Sequence, residues 1–294
     1  MIHLHWFSHY SMQQWLANPK EIIEKAKQLW QDAIAITDYN SGYWLLEFYE
    51  KSEDIKPILW AHLLLSYDWE KFLTIVLLAK NYKWYKNLIK LISIANTKNY
   101  KKYPYLTISD LKEFGNNLIA LSWTNWEIEN NIISWESDNL IIDKISEYEE
   151  IFEWEFYLEF VTLKYSDFPQ RKKIEKKFYD FIKNNNKKWV VTSFYKYIDK
   201  NDKSTYDVLL CIKNNRKFYD SNRPKLKWDY YIMTDENVKE ILEINWIEKD
   251  FQNYLINKTH EISNKINVEI PLHQLLFPKY TVPEKYVELY KRLK

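Results

Sequence analysis

The scarcity of glycine constrains this fold more than any other feature of the sequence. The chain of 294 residues contains 2 glycines and 14 tryptophans, whereas average usage of about 7% would give roughly 20 glycines. Glycine is the residue that most easily adopts left-handed backbone conformations at tight turns and helix ends. The chain must therefore place other residues in those conformations or fold without such turns.

Several tryptophans stand at positions where glycine is expected. Trp30 follows the helix-like segment Pro19–Leu29 and precedes a strand-like segment, which is where a left-handed residue usually ends a helix. An indole buries on the order of 150–250 Å² and enters a tight site only at a cost of about 1–3 kcal/mol. The other tryptophans that end, follow or open apolar strand-like segments are Trp60, Trp123 and Trp189.

We therefore hypothesise that most of these tryptophans are glycines, encoded by UGA in an organism that reads this codon as glycine. The excess of Lys, Asn, Ile and Tyr over only four arginines indicates an AT-rich genome and agrees with the hypothesis. The alternative is a genuinely tryptophan-rich surface that evolved for stacking. UGG codons at Trp30, Trp60 and Trp123 would contradict the hypothesis.

The overall composition is that of a globular protein. A formal charge of +1 argues against nucleic-acid binding by bulk charge alone. No apolar run reaches the roughly 18 residues that span a bilayer, and the N-terminal residues, with polar His3 and His5, do not have the pattern of a signal peptide, so we expect a cytoplasmic protein without membrane contact. The single Cys211 excludes an internal disulfide framework, and its helix-like apolar surroundings favour an inert core thiol.

Helical and extended patterns alternate along most of the chain. This alternation predicts an α/β protein with parallel strands joined by right-handed helical crossovers, and the number of units favours a barrel. The strand-like segments are Ala33–Thr37, Ile58–Leu65, Thr74–Ala79, Asn117–Ser122, Phe156–Val161 and Val190–Ser193. The helix-like segments are Pro19–Leu29, Tyr43–Lys51, Tyr85–Asn96, Ser109–Phe114, Pro169–Lys183, Ser204–Lys213 and Phe251–Ile266.

Two domain-level predictions follow from the distribution of proline. Residues 1–270 are expected to form one domain. Residues 271–294, which contain three prolines, are expected to be a connector that leaves this domain.

Several sequence blocks carry a resemblance to a known family. They include Ile2-His3-Leu4-His5, Ser8-His9-Tyr10-Ser11, Ala33-Ile34-Ala35-Ile36-Thr37-Asp38, Ile55-Lys56-Pro57-Ile58, Val76-Leu77-Leu78-Ala79-Lys80-Asn81, Phe156-Tyr157-Leu158-Glu159 and Leu275-Leu276-Phe277-Pro278. With glycine restored at the suspect tryptophans, the chain resembles the PHP (polymerase and histidinol phosphatase) domain at the N-terminus of the bacterial DNA polymerase III alpha subunit. The resemblance covers essentially the whole chain and implies a distorted TIM-like β/α barrel, the PHP fold.

The resemblance also implies where a metal site would lie. Active members hold a cluster of Zn, Mn or Mg ions with nine side chains at the carboxyl ends of the barrel strands, and these metals activate water and bind phosphate oxygens. The corresponding positions in this chain are His5, Phe7, Gln14, Tyr39, His62, Thr74, Thr124, Phe194 and Lys196. Only His5 and His62 retain a good donor, whereas Phe7 has no lone pair and Lys196 would repel a cation. We therefore expect a degenerate pocket without metal and without catalytic residues.

Some of these polar residues also have structural explanations. For His3, His5 and His9 the explanation that we favour is that they are hydrogen-bonded groups in a partly buried barrel mouth. Asp38 follows a buried strand and is expected to cap a loop. His62 is either such a structural group or a surviving ligand.

The function implied by the resemblance is that of a scaffold in DNA replication. Its partners would be the remainder of the polymerase alpha subunit, a proofreading exonuclease subunit and, through the holoenzyme, DNA. The polymerase carboxylates would lie in a palm domain beyond Lys294, either in the same gene or encoded separately.

The alternatives to a scaffold are an active metal-dependent phosphoesterase or 3′–5′ exonuclease, and a free-standing interaction module. Two stretches of mixed basic and aromatic residues, Lys80–Tyr85 and Lys98–Tyr105, suit binding of single-stranded DNA. They suit a solvated helix face equally well.

Overall fold

The computed structural model describes residues 1–52, 54–66, 72–122, 137–162, 177, 179–181, 184–193, 195–226, 230–245, 247–274, 283, 286–287 and 291. Six strands form one curled sheet in these residues, in chain order: β1 Ala33–Ile36, β2 Lys56–Ser66, β3 Phe72–Ala79, β4 Leu118–Ser122, β5 Phe156–Thr162 and β6 Trp189–Ser193. The helices are α1 Pro19–Gln28, α2 Leu45–Lys51, α3 Tyr82–Thr97, α4 Ile108–Phe114, α5 Asp138–Ile151, α6 Lys203–Lys213, α7 Asp235–Ile244 and α8 Lys249–Asn264. Most of the predicted helix Pro169–Lys183 and of the predicted connector 271–294 lies outside these residues.

Helix α1 shows how local sequence sets both of its ends. The Asn18 side chain accepts a hydrogen bond from the Glu21 amide (3.0 Å), and the Glu21 carboxylate accepts one from the Asn18 amide (2.9 Å). These reciprocal bonds form a capping box and satisfy amides that the helix leaves unpaired. At the other end Trp30 has a φ of 54°. Its left-handed conformation confirms the prediction that this position is one where glycine is expected.

The order of the strands agrees with the predicted alternation, but the direction of one strand does not. The pairs β1–β2, β4–β5 and β5–β6 are parallel, whereas β3 is antiparallel to both β2 and β4. The prediction of parallel strands throughout is therefore wrong at β3. Only five residues separate Ser66 from Phe72, and a parallel crossover needs about a dozen or more.

The prediction of a barrel is confirmed only in its coarser form, a curled mixed α/β sheet. The six strands do not close, since β1 and β6 are the two edges of the described sheet. The N-terminal segment lies beside β1 and pairs with it through a single bridge between His3 and Ile34. The Ala35 amide donates to the His3 carbonyl (3.2 Å). The His3 side chain also contacts the ring of Tyr195, which follows β6. In the described residues, side chains rather than paired strands therefore span the gap between β1 and β6.

The core runs along both faces of the sheet, and every residue of β1, β4, β5 and β6 is buried. Four tryptophans belong to the fully buried core: Trp6, Trp44, Trp60 and Trp189. Trp189 opens β6 as predicted, whereas Trp60 lies inside β2 opposite Leu78 and does not end a strand. Trp123 lies outside the described residues.

Two further sequence predictions concern α6 and the membrane. Cys211 is buried in α6, which confirms a core thiol in an apolar helix. Among the residues that the structure covers, no helix has both the length and the apolar character needed to cross a bilayer.

Candidate functional site

Four of the predicted site residues meet at one end of the sheet. His5 and Phe7 come from the N-terminal segment, Tyr39 follows β1, and His62 lies in β2, where it forms a parallel bridge with Tyr39. The ring centroids of Tyr39 and His62 are 4.1 Å apart and stacked, and those of His5 and His62 are 5.4 Å apart. Phe7 lies 4.9 Å from His5 and 5.6 Å from His62, between centroids. The sequence positions therefore do converge, but as a cluster of rings.

A second layer covers this cluster. The Trp15 indole stacks on Phe7 with centroids 3.9 Å apart and planes inclined by 16°. Its Nε1 donates a hydrogen bond to the Tyr195 carbonyl. The ammonium of Lys196, another predicted position, lies 3.8 Å from the centroid of the Trp15 ring. Loop residue Trp15 thus connects the remnant ligand positions of the N-terminal segment to the segment after β6.

Glu159 on β5 is a buried carboxyl group in this site. Its Oε1 lies 3.1 Å from Nδ1 of His5, and both side chains are fully buried. Burial raises the pKa of Glu159 well above its usual value and lowers the pKa of His5 well below its usual value. Both shifts favour the uncharged form of each group.

Burial also lowers the pKa values of His62 and Lys196. Burial lowers the pKa of His62 to about 3, so its imidazole is neutral. Burial, followed by repulsion from Lys213, lowers the pKa of Lys196 to about 7. The described part of the site thus contains one amine that titrates near neutrality, and burial disfavours the ionised form of Glu159.

Asp38 fixes the loop that follows Phe7. Its carboxyl oxygens accept hydrogen bonds from the Ser8 amide (2.9 Å), the Ser8 hydroxyl (2.5 Å) and the Ser11 hydroxyl (2.6 Å). Burial raises the pKa of Asp38 to about 6, although these bonds oppose the shift. The prediction that Asp38 caps a loop is confirmed, because its carboxyl group ties residues 8–11 to the end of β1.

The three N-terminal histidines differ in their surroundings. His3 donates from Nε2 to the Met233 carbonyl (3.1 Å) and accepts at Nδ1 from the Tyr195 hydroxyl. Burial lowers the pKa of His3 to about 4. His3 and His5 are thus hydrogen-bonded buried groups, as one of the two explanations predicts, whereas His9 is exposed and stacks on Tyr10. For His9 the prediction of a partly buried position is wrong.

The other predicted ligand positions contribute little to the cluster. Gln14 is half-buried, and its carbonyl accepts from the Tyr206 hydroxyl (2.8 Å). Thr74 is a half-buried residue of β3 opposite Leu64. Thr124 and Phe194 lie outside the described residues. In the parts of the chain for which coordinates are described, no three His, Cys, Asp or Glu side chains are grouped closely enough to hold a metal ion.

Sequence reasoning missed two residues of this site. Glu159 carried a signal, because it is the one charged residue in the apolar strand Phe156–Thr162. A charged side chain in a strand buried on both faces needs a partner. Trp15 was included among the suspect glycines in general, but nothing in the sequence placed its ring on Phe7.

The comparisons with known proteins agree on one family. The PHP domain model matches residues 3–163. The DNA polymerase III subunit alpha of Buchnera aphidicola subsp. Schizaphis graminum is 29% identical over 299 residues, which cover 98% of this chain and 25% of that protein. The corresponding subunit of Thermus aquaticus is 26% identical and covers 97% of this chain and 24% of that protein. The chain thus spans about a quarter of the length of these curated relatives.

Among solved structures, an amidohydrolase from Chromobacterium violaceum aligns with a TM-score of 0.45 and 12% identity, over 67% of this chain and 87% of that one. The family model provides the stronger result, because it matches more than half of the 294 residues. Its match begins at His3, in the segment that supplies His5 and Phe7 to the pocket. This chain is therefore a member of the PHP domain family.

Proposed function

We propose that this chain is the N-terminal PHP domain of a replicative DNA polymerase III alpha subunit, where it serves as a scaffold and not as a phosphoesterase. Support for the polymerase context comes from the relatives, which match nearly the whole chain while being about four times as long. Support for the scaffold role comes from the ring cluster at the positions where active members bind metal. A cytoplasmic location follows from this role in DNA replication.

The observation that carries the loss of activity is that the Phe7 ring lies 4.9 Å from His5 and 5.6 Å from His62, between centroids, at a position where the family resemblance implies an imidazole. The residues present do not fit a cluster of two or three metal ions. Phenylalanine donates no electron pair, and the described cluster has two imidazoles and the carboxyl group of Glu159, whose pKa burial raises well above its usual value. The Lys196 amine lies over Trp15, where its protonated form would repel a cation. We derive no catalytic step through a metal at this site.

A domain that has lost its metals still offers a rigid surface. The sheet and its helices bury one continuous apolar cluster that reaches from the N-terminal segment to α8. Such a core keeps surface positions fixed relative to one another. We propose that this surface supports the polymerase body and binds the proofreading exonuclease subunit, the partner that the resemblance implies.

The competing function is an active metal-dependent PHP phosphoesterase or 3′–5′ exonuclease. The observation in its favour is that His5 still contacts both His62 and Glu159. Metal analysis of the purified 294-residue chain, together with release of phosphate from p-nitrophenyl phosphate and of nucleotides from a 3′-labelled oligonucleotide in Mn²⁺, separates the two functions. We expect no stoichiometric metal and no activity above a buffer blank.

A gain-of-ligand variant serves as the control. Phe7→His restores the His-x-His pair with His5, and Tyr39→His restores the third family imidazole. The double variant is expected to bind Mn²⁺ or Zn²⁺ more tightly than the wild type in a calorimetric titration. Stoichiometric metal in the wild type, with activity that His5→Gln abolishes, would overturn the proposed loss. Co-elution with the exonuclease subunit from the same genome tests the scaffold role, and a failure to co-elute would contradict it.

We also propose that most tryptophans of the chain are glycines in the natural protein. Trp30 and Trp154 support this proposal, because both have left-handed backbones, with φ values of 54° and 67°, and side chains that are 93% and 60% exposed. An exposed indole provides little packing to offset that conformation. The nucleotide sequence of the gene tests the proposal: UGA codons at both positions are expected, and UGG codons would refute it.

A further inference from the structure

The lysines of this chain are unevenly distributed. The segment from residue 72 to residue 109 contains seven lysines and neither aspartate nor glutamate, although the whole chain has a formal charge of only +1. This segment includes β3, α3 and the residues that lead to α4. A balanced net charge therefore conceals one strongly basic region.

Three of these lysines lie on a single exposed face of α3. Lys83, Lys86 and Lys90 follow each other at intervals of three and four residues, which places them on one side of a helix. The opposite side is buried through Leu88, Leu91, Ile92 and Ala95. With a rise of about 1.5 Å per residue, the three ammonium groups follow a line of about 10 Å.

In the residues covered by the structure, no carboxylate forms an ion pair with these three lysines. Their ammonium groups lie over aromatic rings: Lys83 over Trp84 (4.4 Å), Lys86 over Tyr82 (4.6 Å) and Lys90 over Phe114 (4.0 Å). Lysines elsewhere, such as Lys25, Lys51 and Lys112, lie within 3.0 Å of a carboxylate oxygen. The positive charge along α3 is therefore available to an external anion.

Two exposed aromatic residues follow the end of α3 in the sequence. Tyr100 and Tyr103 are 58% and 46% exposed. The ammonium of Lys102 lies 5.3 Å from the Tyr103 ring centroid. A surface for single-stranded nucleic acid has two components: lysines that follow the phosphate backbone, and aromatic rings on which bases stack.

We propose that the α3 basic face, formed by Lys83, Lys86 and Lys90, binds single-stranded nucleic acid together with Tyr100 and Tyr103 of the segment that follows α3. The lysines contact phosphates, and the tyrosines stack on bases. An acidic protein surface would also attract the lysines, but it would give no role to the two exposed tyrosines that follow the helix. The inference goes beyond the scaffold role and depends on none of the remnant metal positions.

The test is a salt titration of binding between the 294-residue chain and a fluorescent oligo(dT). The triple variant Lys83→Gln/Lys86→Gln/Lys90→Gln is expected to bind more weakly at low salt. Its plot of log K against log[salt] should be shallower by about 2, because each lost phosphate contact on a single strand removes about 0.7 from the slope. The double variant Tyr100→Ala/Tyr103→Ala should lose about fivefold or more in affinity with an unchanged slope.

The matched control removes the same net charge from other helices. Lys20, Lys213 and Lys239 are exposed residues of α1, α6 and α7, and their triple Gln variant should bind oligo(dT) as the wild type does. Equal losses in the two triple variants, or no binding by the wild type at low salt, would overturn the proposal. Competition by poly-glutamate as effective as that by unlabelled oligo(dT) at equal charge would overturn the assignment to nucleic acid. Because no metal is involved, failure here leaves the scaffold proposal unaffected.

Discussion

The ammonium of Lys196 lies 3.8 Å from the centroid of the Trp15 ring, and that ring stacks on Phe7. Lys196 and Phe7 are the last and the second of the nine positions at which the family resemblance predicts metal ligands. An amine and a ring therefore lie where that resemblance implies cations and an imidazole. Lys196 and Phe7 are compatible with one another because both contact the Trp15 ring, and an aromatic face attracts an ammonium group.

Replacement of Lys196 by methionine is expected to stabilise the protein at neutral pH by about 1–3 kcal/mol, since the buried amine costs more than its contact with Trp15 returns. The pKa of Lys196 is lowered to about 7, while an unfolded lysine titrates near 10.5. Between these values the unfolded chain binds more protons, so wild-type stability rises with pH.

The advantage of Lys196→Met should therefore shrink as the pH approaches that of the unfolded lysine. Urea unfolding of both proteins between about pH 7 and 10 measures this difference. Lys239→Met, at an exposed position of α7, serves as the control. An advantage for Lys196→Met that stays constant across the range would contradict the burial argument.

His62 should make the stability of the protein sensitive to mild acid. Its pKa is lowered to about 3 in the folded protein, against 6.5 for an ordinary histidine. Between these values the unfolded chain binds the extra proton, so the stability contributed by the neutral imidazole is complete above pH 6.5 and decreases as the pH falls. We expect the wild type to lose stability relative to His62→Gln by at most about 1.4 kcal/mol per pH unit.

The comparison between variants isolates His62 from the other buried groups. His3 and His5 shift stability in the same direction as His62, whereas Asp38 and Glu159 shift it in the opposite direction. The contributions of these four groups are common to the wild type and His62→Gln, so they largely cancel in the difference in stability between the two proteins. His9→Gln removes an exposed imidazole and is the control. A wild-type curve parallel to that of His62→Gln between about pH 4 and 7 would show that His62 is accessible to protons.

The sequence predicted the positions of all six strands, because each is a short and mostly apolar segment that can be recognised from the local sequence. The direction of a strand is harder to predict, because it depends on the connection between that strand and the next. The five residues between β2 and β3 already indicate a hairpin. Two helices, α5 and α7, were not predicted, although Ile141, Ile145 and Tyr148 of α5 have helical spacing.

The site was predictable only as far as the family resemblance extends. His5, Phe7, Tyr39 and His62 converge as that resemblance implies. The pair of His5 and Glu159 joins residues 154 positions apart, one in the N-terminal segment and the other on β5. No local sequence pattern predicts such a contact, because only the folded sheet brings the two groups together.

Two replacements of tryptophan by glycine should have opposite effects in the chain as written. Trp30→Gly relieves a left-handed backbone at an exposed position and is expected to stabilise the protein by about 0.5–1 kcal/mol. Trp60→Gly removes a fully buried indole from β2 and is expected to cost about 3 kcal/mol or more. Thermal and urea unfolding measure both effects. Destabilisation by Trp30→Gly would refute the assignment of this position to a glycine-type helix end.

Asp38 should respond to pH in the sense opposite to His62. Its pKa is raised to about 6 in the folded protein, against 3.8 for an ordinary aspartate. Between these values the folded chain binds the extra proton, so the contribution of Asp38 to stability falls as the pH rises. Asp38→Asn resembles the protonated form and keeps one oxygen for the Ser8 amide or the Ser11 hydroxyl.

We therefore expect wild-type stability to decrease relative to Asp38→Asn between about pH 4 and 6, by at most about 1.4 kcal/mol per pH unit. Ser11→Ala should destabilise the protein by about 1–3 kcal/mol, because the buried carboxyl loses a hydroxyl donor. Ser11 precedes Trp15 in the same loop, so the variant should also loosen the cover over Phe7. Faster proteolysis within residues 8–18 measures that loosening. Unchanged cleavage in Ser11→Ala would show that the stack of Trp15 on Phe7, and not Asp38, holds the loop in place.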